Sequence, residues 1–298
     1  MTKLVQCIPN FSVGRDEVII EGLADILRNS VGCTLLDYSA DASHNRSVFT
    51  FVGSPEGAVN AAVALAKFAA EKIDMTAHSG EHPRMGATDV IPFVPVKNMT
   101  MDEAIEVAKT VAERIWNEVQ VPIYLYEEAA TADNRKNLAT VRRGEFEGMA
   151  EKMQKKVWQP DFGDTAPHKT AGVTAVGARQ PLIAFNVNLS TNNLDIANSI
   201  AKAVRGSSGG LKHVKGIGIY IEERDMAQVS MNLVNYEINP IYRVLELIRM
   251  EAARYGVAVI GTELIGLAPA KALISSAEHY LQIENFDFDK QVLENHLL

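Results

Sequence analysis

Residues 33–53, CTLLDYSADASHNRSVFTFVG, decide the fold of the first half, because they contain two strand-like runs with no helix between them. Cys33 to Tyr38 is a short apolar run, and Ser47 to Val52 alternates in the period-2 pattern of a half-buried strand. A polar loop therefore joins the two strands directly. The flanking segments add, in order, a strand at 4–9, a helix at 16–29, a helix at 55–73 and a strand at 89–96.

The second half repeats this order of strand, helix, two strands, helix and strand. Its predicted segments are a strand at 181–187, a helix at 193–204, strands at 214–222 and 228–236, a helix at 240–255, a strand at 257–261 and a further helix at 269–281. The first half carries additional segments, namely a helix at 100–119, a strand at 121–126 and a charged helical stretch at 127–158.

This order is the split βαβ, or ferredoxin-like, unit. We therefore predict an α+β protein made of two tandem ferredoxin-like subdomains, with their sheets packed together and the helices outside. Residues 159–180 are rich in Pro, Gly, Asp and Thr, which is typical of a linker between domains. The predicted subdomains are accordingly residues 1–178 and 179–298.

The composition limits the possible partners and the compartment. The 298 residues include 29 Lys and Arg against 37 Asp and Glu, a net charge of −8 without a basic block. Such a chain is not expected to bind nucleic acid or an anionic membrane nonspecifically. It has no signal-peptide pattern and no apolar run long enough to span a membrane, and its two cysteines suggest a reducing compartment. We expect a cytoplasmic protein.

The densest chemistry lies in residues 78–86, HSGEHPRMG, between a predicted helix and a predicted strand. A histidine here can accept and return a proton near neutral pH, and Arg84 can bind a carboxylate through two hydrogen bonds. The alternative is purely structural, with His82 capping a turn and Arg84 pairing with a surface acid.

The same segment also matches the H-x-x-E-H pattern of one class of zinc peptidases. That pattern requires a helix to bring both histidines to one face. Gly80 lies inside the motif and Pro83 follows it, so a continuous helix is not expected. We therefore predict no metal site.

Further polar residues stand near the ends of the predicted central strands. Asp41, Asn45 and Arg46 lie between the second and third strands, and Asn10 ends the first. The first and third strands are neighbours in a split βαβ sheet, so these side chains can converge. Taken singly, each is also an ordinary turn residue.

Several segments together resemble the glutamate formiminotransferase family. They include CIPNFSVGR (7–15), IDMTAHSGEHPRMGATDVIPFVPV (73–96), RRGEFEG (142–148), QPDFG (159–163) and LIAFNVNL (182–189). The resemblance covers nearly the whole chain. It implies transfer of the formimino group from N-formimino-L-glutamate to N5 of tetrahydrofolate, a step of histidine degradation. It also implies a homodimer and a charged folate tunnel between two ferredoxin-like halves.

The resemblance also implies individual roles. The family's catalytic histidine lies in the motif EHPRMG, here at His82. Vertebrate members have an acidic residue at the position of Ser39, where Asp41 is the predicted substitute, and a cyclodeaminase domain whose activity is not implied here. The family's folate loop follows PDFG and here comprises Gly163, Asp164, Thr165, Ala166, Pro167, His168, Lys169, Thr170, Ala171 and Gly172.

We predict that His82 is the general base and that Arg46 or Arg84 anchors the substrate carboxylates, with Asn10 and Asn45 as hydrogen-bonding neighbours. Because both substrates are anionic, an acidic chain must concentrate its cations locally. The candidates are Arg46, Arg84, Arg142, Arg143, Arg179, Lys212 and Lys215. Two other functions remain open, namely formyl transfer between 5-formyltetrahydrofolate and glutamate, and folate binding without catalysis.

Overall fold

A computed structural model describes residues 2–296. The chain divides into two compact units, with the division between Arg179 and Gln180. Each unit has its own sheet and its own set of core residues. Among the described residues, no helix is both long and apolar enough to cross a membrane.

From residue 2 onwards, where the structure describes it, the first unit contains seven strands and five α-helices. In chain order they are β1 (Leu4–Cys7), β2 (Asn10–Phe11), α1 (Glu17–Arg28), β3 (Cys33–Asp41), β4 (Arg46–Gly53), α2 (Pro55–Lys72), β5 (Thr88–Lys97), α3 (Met101–Val119), β6 (Ile123–Glu127), α4 (Leu138–Arg142), α5 (Glu145–Met153) and β7 (Thr174–Ala178). Strands β1 and β2 are two parts of one path that lies between β4 and β5 and runs antiparallel to both. Strand β3 pairs with β4 at one edge, whereas β7 and β6 extend the sheet in parallel beyond β5.

Local sequence explains where the long helices of this unit begin. The Asp16 carboxylate accepts hydrogen bonds from two free amides of α1, and Ser54 caps α2, in which Pro55 occupies the first turn. Thr100 and Glu103 form a reciprocal capping box at α3, as the sequence predicts. The apolar faces of these helices pack on one buried core.

Over its described residues, 180–296, the second unit is a four-stranded antiparallel sheet with its helices. It consists of β8 (Ile183–Leu189), α6 (Leu194–Val204), β9 (Val214–Ile221), β10 (Met226–Leu233), α7 (Ile241–Ala253), β11 (Val259–Ile265), α8 (Ala270–Leu281) and α9 (Phe288–Gln291). The strand order is β11-β8-β10-β9. The antiparallel part of the first sheet has the corresponding order, β5-β1-β4-β3. The predicted α+β class with two split βαβ units is thus confirmed.

Two sequence predictions about the end of the first unit need correction. The segment 127–158 is not one long helix, because two short helices, α4 and α5, are separated by a turn at Arg143 and Gly144. The segment 159–180 is not only a linker, because it contains the fully buried strand β7. Its sequence, TAVGA, is short and has small residues, so neither alternation nor bulky β-branched residues mark it as a strand.

Candidate active site

The pairing of β2 determines where the site lies. Phe11 of β2 is opposite Ser47 of β4 and Thr88 of β5. Because β4 and β5 both run antiparallel to β2, their first residues flank the end of β2. The turn between β3 and β4 and the loop before β5 therefore meet there, and they carry the polar residues that the sequence singles out.

We call residues 76–86 the histidine loop and residues 42–45 the β3–β4 turn, and several hydrogen bonds join them. Asn45 donates through Nδ2 to the carbonyl of Ser79 at 3.0 Å and accepts through Oδ1 from the amide of Gly14 at 2.9 Å. The Glu81 amide donates to the Ser43 carbonyl at 3.3 Å. Asn45 thus joins three loops, and both polar atoms of its side-chain amide have hydrogen-bond partners within the protein.

His78 is a structural clip between the same two loops. Its Nδ1 accepts from Arg84 Nε at 3.2 Å, so the hydrogen lies on Nε2, 3.0 Å from the Asn45 carbonyl. Burial lowers the pKa of His78, which favours this neutral form. The histidine loop is irregular and contains no helix, and the two ring nitrogens of His78 are occupied. The helical arrangement of the H-x-x-E-H pattern is therefore not formed.

Arg84 is buried and neutralised by two carboxylates. Its guanidinium donates to Glu145 at 2.8 Å and to both oxygens of Glu147 at 2.6 and 2.9 Å. The Arg84 carbonyl in turn accepts from the Phe146 amide at 2.9 Å. These contacts attach the histidine loop to the start of α5, so in this structure Arg84 acts as a brace.

His82 is half-buried beside two cations, Arg46 and Arg142. Burial first, and then the charges of Arg46 and Arg142, lower the pKa of His82 to about 3. Arg142 pairs with the buried carboxylate of Asp89, which also accepts from the Met85 amide at 3.0 Å. The imidazole is therefore neutral at physiological pH and has a lone pair available to accept a proton.

The two arginines beside His82 carry unused donors. The Nε atoms of Arg46 and Arg142 are buried and have no hydrogen-bond partner within the described part of the chain. Burial and the neighbouring Arg142 charge both lower the pKa of Arg46, as expected for two cations held close together. Buried donors without partners are costly, so an anionic ligand would stabilise this arrangement.

Most of the predicted catalytic and substrate residues come together. One small polar pocket is lined by His82, Arg84, Arg46 and Asn45. It is also lined by four residues that were not among the predicted site residues, namely Ser12, His44, His78 and Asp89. Asp41 lies beside it and contacts His44, whereas the Asn10 side chain donates through Nδ2 to the Ile8 carbonyl at 3.0 Å. Arg142 was among the predicted cations, whereas the roles of Glu145 and Glu147 were not predicted from the sequence, although RRGEFEG marks their segment.

The predicted folate loop, residues 163–172, ends beside the histidine loop. The Val173 amide donates to the Met85 carbonyl at 3.0 Å, and the Ala87 amide donates to the Ala171 carbonyl at 2.9 Å. Gly172 has φ +69°, and a Cβ there would lie 2.3 Å from the Met85 carbonyl oxygen, so only glycine fits. His168 fixes the turn by accepting from the Ala171 amide through Nδ1 at 3.0 Å.

Of the other predicted cations, Arg143 is exposed and Arg179 lies at the end of the first unit. Lys212 and Lys215 are exposed residues of the second unit. The positive charge beside His82 therefore comes from Arg46 and Arg142.

Comparisons with known proteins give a consistent result. A family model described as the formiminotransferase domain, N-terminal subdomain, matches residues 4–179, and the formiminotransferase domain model matches residues 184–295. The glutamate formimidoyltransferase of Streptococcus pyogenes serotype M1 is 61% identical over 298 residues, covering 100% of both chains. That of Thermoplasma acidophilum is 46% identical and covers 95% of this chain and 94% of its own. The formimidoyltransferase-cyclodeaminase of Gallus gallus is 46% identical over 95% of this chain and 53% of its own.

Proposed function

The chain belongs to the formiminotransferase family, and from this premise we propose that it transfers the formimino group of N-formimino-L-glutamate to N5 of tetrahydrofolate. The products are 5-formiminotetrahydrofolate and L-glutamate, as in histidine degradation. The chain is a transferase of one-carbon groups, and its site is formed by residues of the first unit.

One observation supports this reaction most directly, namely a neutral histidine beside two arginines with unused donors. A substrate carboxylate bound by Arg46 and Arg142 would neutralise charge that lowers the basicity of His82. Substrate binding therefore raises the affinity of His82 for a proton at the moment when a base is needed. Without substrate, burial and the same cations keep the imidazole in its unprotonated form.

His82 then acts on the proton that the reaction must move. Bound tetrahydrofolate supplies the nucleophile, its N5 nitrogen, which bonds to the formimino carbon as the bond from that carbon to the glutamate nitrogen breaks. His82 removes the proton from N5, and the same histidine can deliver a proton to the departing glutamate nitrogen, which leaves as the amine. General acid–base catalysis of this kind contributes roughly 10²–10⁴-fold. The loops around His82 contribute by holding both substrates in position.

For the carboxylates of formiminoglutamate we propose Arg46 as the principal anchor, joined by Arg142. Arg84 remains a predicted anchor, but it would have to exchange its ion pairs with Glu145 and Glu147 for the substrate. Asn45 and Asn10 are proposed as hydrogen-bonding neighbours.

We propose that residues 163–172 bind tetrahydrofolate. Two features support this assignment. The backbone of residues 170–173 forms hydrogen bonds with the backbone of Met75 and Met85. Residues 164–166 of the loop are exposed. The loop is held at Thr165 by Gln154, whose Nε2 donates to the Thr165 carbonyl at 2.9 Å. A homodimer is proposed from the family resemblance, and light scattering of the purified chain tests it.

The test is an assay of the purified protein with formiminoglutamate and tetrahydrofolate, with and without a chelator. We expect turnover by the unsubstituted chain, and we expect His82→Ala to lose roughly 10²–10⁴-fold in kcat while folate still binds. Near-normal turnover by this variant would refute the role of His82.

The same assay compares a second donor, 5-formyltetrahydrofolate with glutamate as acceptor, because one site and one base would serve both reactions. A higher kcat/KM with that donor would assign the chain to folate salvage. Tight folate binding without turnover of either donor would indicate a binding protein.

A further inference from the structure

Lys152 of α5 is a buried cation outside the pocket of His82. The residue is 9% exposed, and its side chain reaches the corner between α4 and α5. Its Nζ donates to the carbonyls of Thr140 and Arg143 at 2.9 and 3.1 Å, and also to the carbonyl of Val141. The same atom lies 4.0 Å from the centroid of the Trp158 ring. Each hydrogen of the ammonium group therefore has an acceptor, and the ring face adds a cation–π contact.

The three carbonyls belong to the end of α4, which has only five residues. The last carbonyls of a helix have no amide partner within it, and in so short a helix this applies to most of them. Gly144, with φ +97°, then turns the chain into α5, so α4 does not continue and supply further amides. Lys152 therefore provides the donors that a longer helix would provide, and it fixes the backbone of residues 140–143.

Arg142 lies within this fixed segment, between two of the carbonyls that Lys152 binds. The Arg142 guanidinium pairs with the buried carboxylate of Asp89, and its charge is one of those that lower the pKa of His82. The far end of the Arg142 side chain is thus held by Asp89. Its backbone is held by Lys152.

We infer that Lys152 is a positioning residue of this site, which holds Arg142 beside His82 through the corner between α4 and α5. Lys152 is not among the residues that line the pocket of His82, so it acts through Arg142. A displacement of about 1 Å in a site residue is enough to impair a reaction. The inference rests on the proposed function, in which Arg142 helps to bind the substrate carboxylates.

The surroundings of Lys152 make these contacts sensitive to pH. The charged residues lining the adjoining cavity of about 300 Å³ are Arg143 of the corner and Glu151 and Lys155 of α5, whereas Trp158 contributes an uncharged ring. Glu151 pairs with Lys155 at 3.3 Å. Burial first, and then the charges of Arg143 and Lys155, lower the pKa of Lys152 to about 8. Above this pH the neutral amine has two hydrogens for three carbonyls, so the corner loosens.

Kinetics of Lys152→Met test the inference, because methionine keeps an apolar stem and removes the three donors. We expect KM for formiminoglutamate to rise by about 10-fold, since a hydrogen bond to a charged group is lost when Arg142 moves. KM for tetrahydrofolate should stay unchanged. Lys156→Met is the matched control, because it removes an exposed lysine four residues along the chain and should leave both KM values normal.

A double variant separates positioning of Arg142 from general support of the fold. In the Arg142→Gln background we expect Lys152→Met to change KM for formiminoglutamate by less than about twofold, because the residue through which it acts is already removed. Equal effects of Lys152→Met in both backgrounds would overturn the inference. So would a normal KM in the single Lys152→Met variant.

A titration of the unsubstituted chain needs neither a variant nor turnover. We expect the ¹⁵N NMR signal of the buried Nε of Arg142 to shift with the same midpoint as the Nζ signal of Lys152, near pH 8. The Nε signal of Arg205 in the second unit is the reference and should stay constant. An Arg142 signal that does not follow the titration of Lys152 would overturn the inference. If the unsubstituted chain has no turnover, the proposed function fails, and this titration still decides whether Lys152 positions Arg142.

Discussion

At the scale of single residues, His82 owes its properties to neighbours that are distant in sequence. Arg46 comes from the start of β4 and Arg142 from the end of α4, and both lower the pKa of His82 together with burial. A histidine at the protein surface titrates near pH 6.5. The loop motif alone therefore does not determine the state of the imidazole, and the assembled site does.

This lowered pKa predicts a specific dependence of stability on pH. Between about pH 6.5 and pH 3 the unfolded chain binds a proton at His82 that the folded chain does not bind, so the free energy of unfolding decreases as the pH falls. We expect His82→Gln to weaken this decrease. Urea unfolding at about pH 7 and about pH 5 measures it.

His279→Gln is the matched control, because it removes an exposed imidazole far along the chain. The free energy of unfolding could fall by the same amount between about pH 7 and about pH 5 in His82→Gln and in the unsubstituted chain. That result would show that His82 is not held neutral by the fold.

Part of the candidate site was predictable from the sequence for a simple reason. His82, Asn45 and Arg46 are polar residues at strand ends, and such positions are recognisable in a single sequence. Arg142 and Glu147 lie on short helices far along the chain and reach the site only through tertiary structure. Arg142 was only one of seven candidate cations in the sequence, and which of them lies beside His82, like the role of Glu147, could not be predicted without the fold.

At the scale of elements, the strands with alternating residues were predictable and β7 was not. It is buried at every residue, between β5 and β6. A Cβ at Gly177 would lie 2.4 Å from the Tyr126 carbonyl oxygen, so close approach of the strands requires a small residue there. Close packing of the strands therefore favours small residues in β7, so its sequence lacks the run of bulky residues by which a strand is normally recognised.

The contact between the histidine loop and the β3–β4 turn depends on another glycine. A Cβ at Gly80 would lie 2.3 Å from the His44 carbonyl oxygen, so Gly80→Ala must push the two loops apart. We expect kcat to fall by about 100-fold, because a displacement of about 1 Å is enough for such a loss. Steady-state kinetics and thermal unfolding of the purified variant measure the effect.

The control is Gly148→Ala in α5, where no heavy atom lies within 4 Å of the added carbon. This substitution should stabilise the protein by about 1 kcal/mol through helix propensity and leave turnover normal. Full activity of Gly80→Ala would show that the two loops need not be in contact.

At the scale of the whole molecule, the antiparallel part of the first sheet has the same strand order as the second sheet, but the two units have different cores. The core of the second unit, which includes Phe185, Val229 and Ile248, consists of residues from 180 onwards. The contacts described for His82 and Arg84 all lie before residue 180. The protonation state of His82 should therefore be a property of the first unit.

We accordingly expect a polypeptide of residues 180–298 produced alone to unfold cooperatively, since four strands packed on helices bury enough apolar surface for an independent domain. A polypeptide of residues 1–179 should show the same pH titration of the His82 ring as the full chain, measured by NMR, because the neighbours that set its pKa are all present. Circular dichroism during thermal unfolding measures the cooperativity of each polypeptide, with the full chain as reference. If the 180–298 polypeptide is unfolded, its core is insufficient by itself. If the 1–179 polypeptide is folded but its His82 titrates closer to about pH 6.5, the second unit helps to hold His82 neutral.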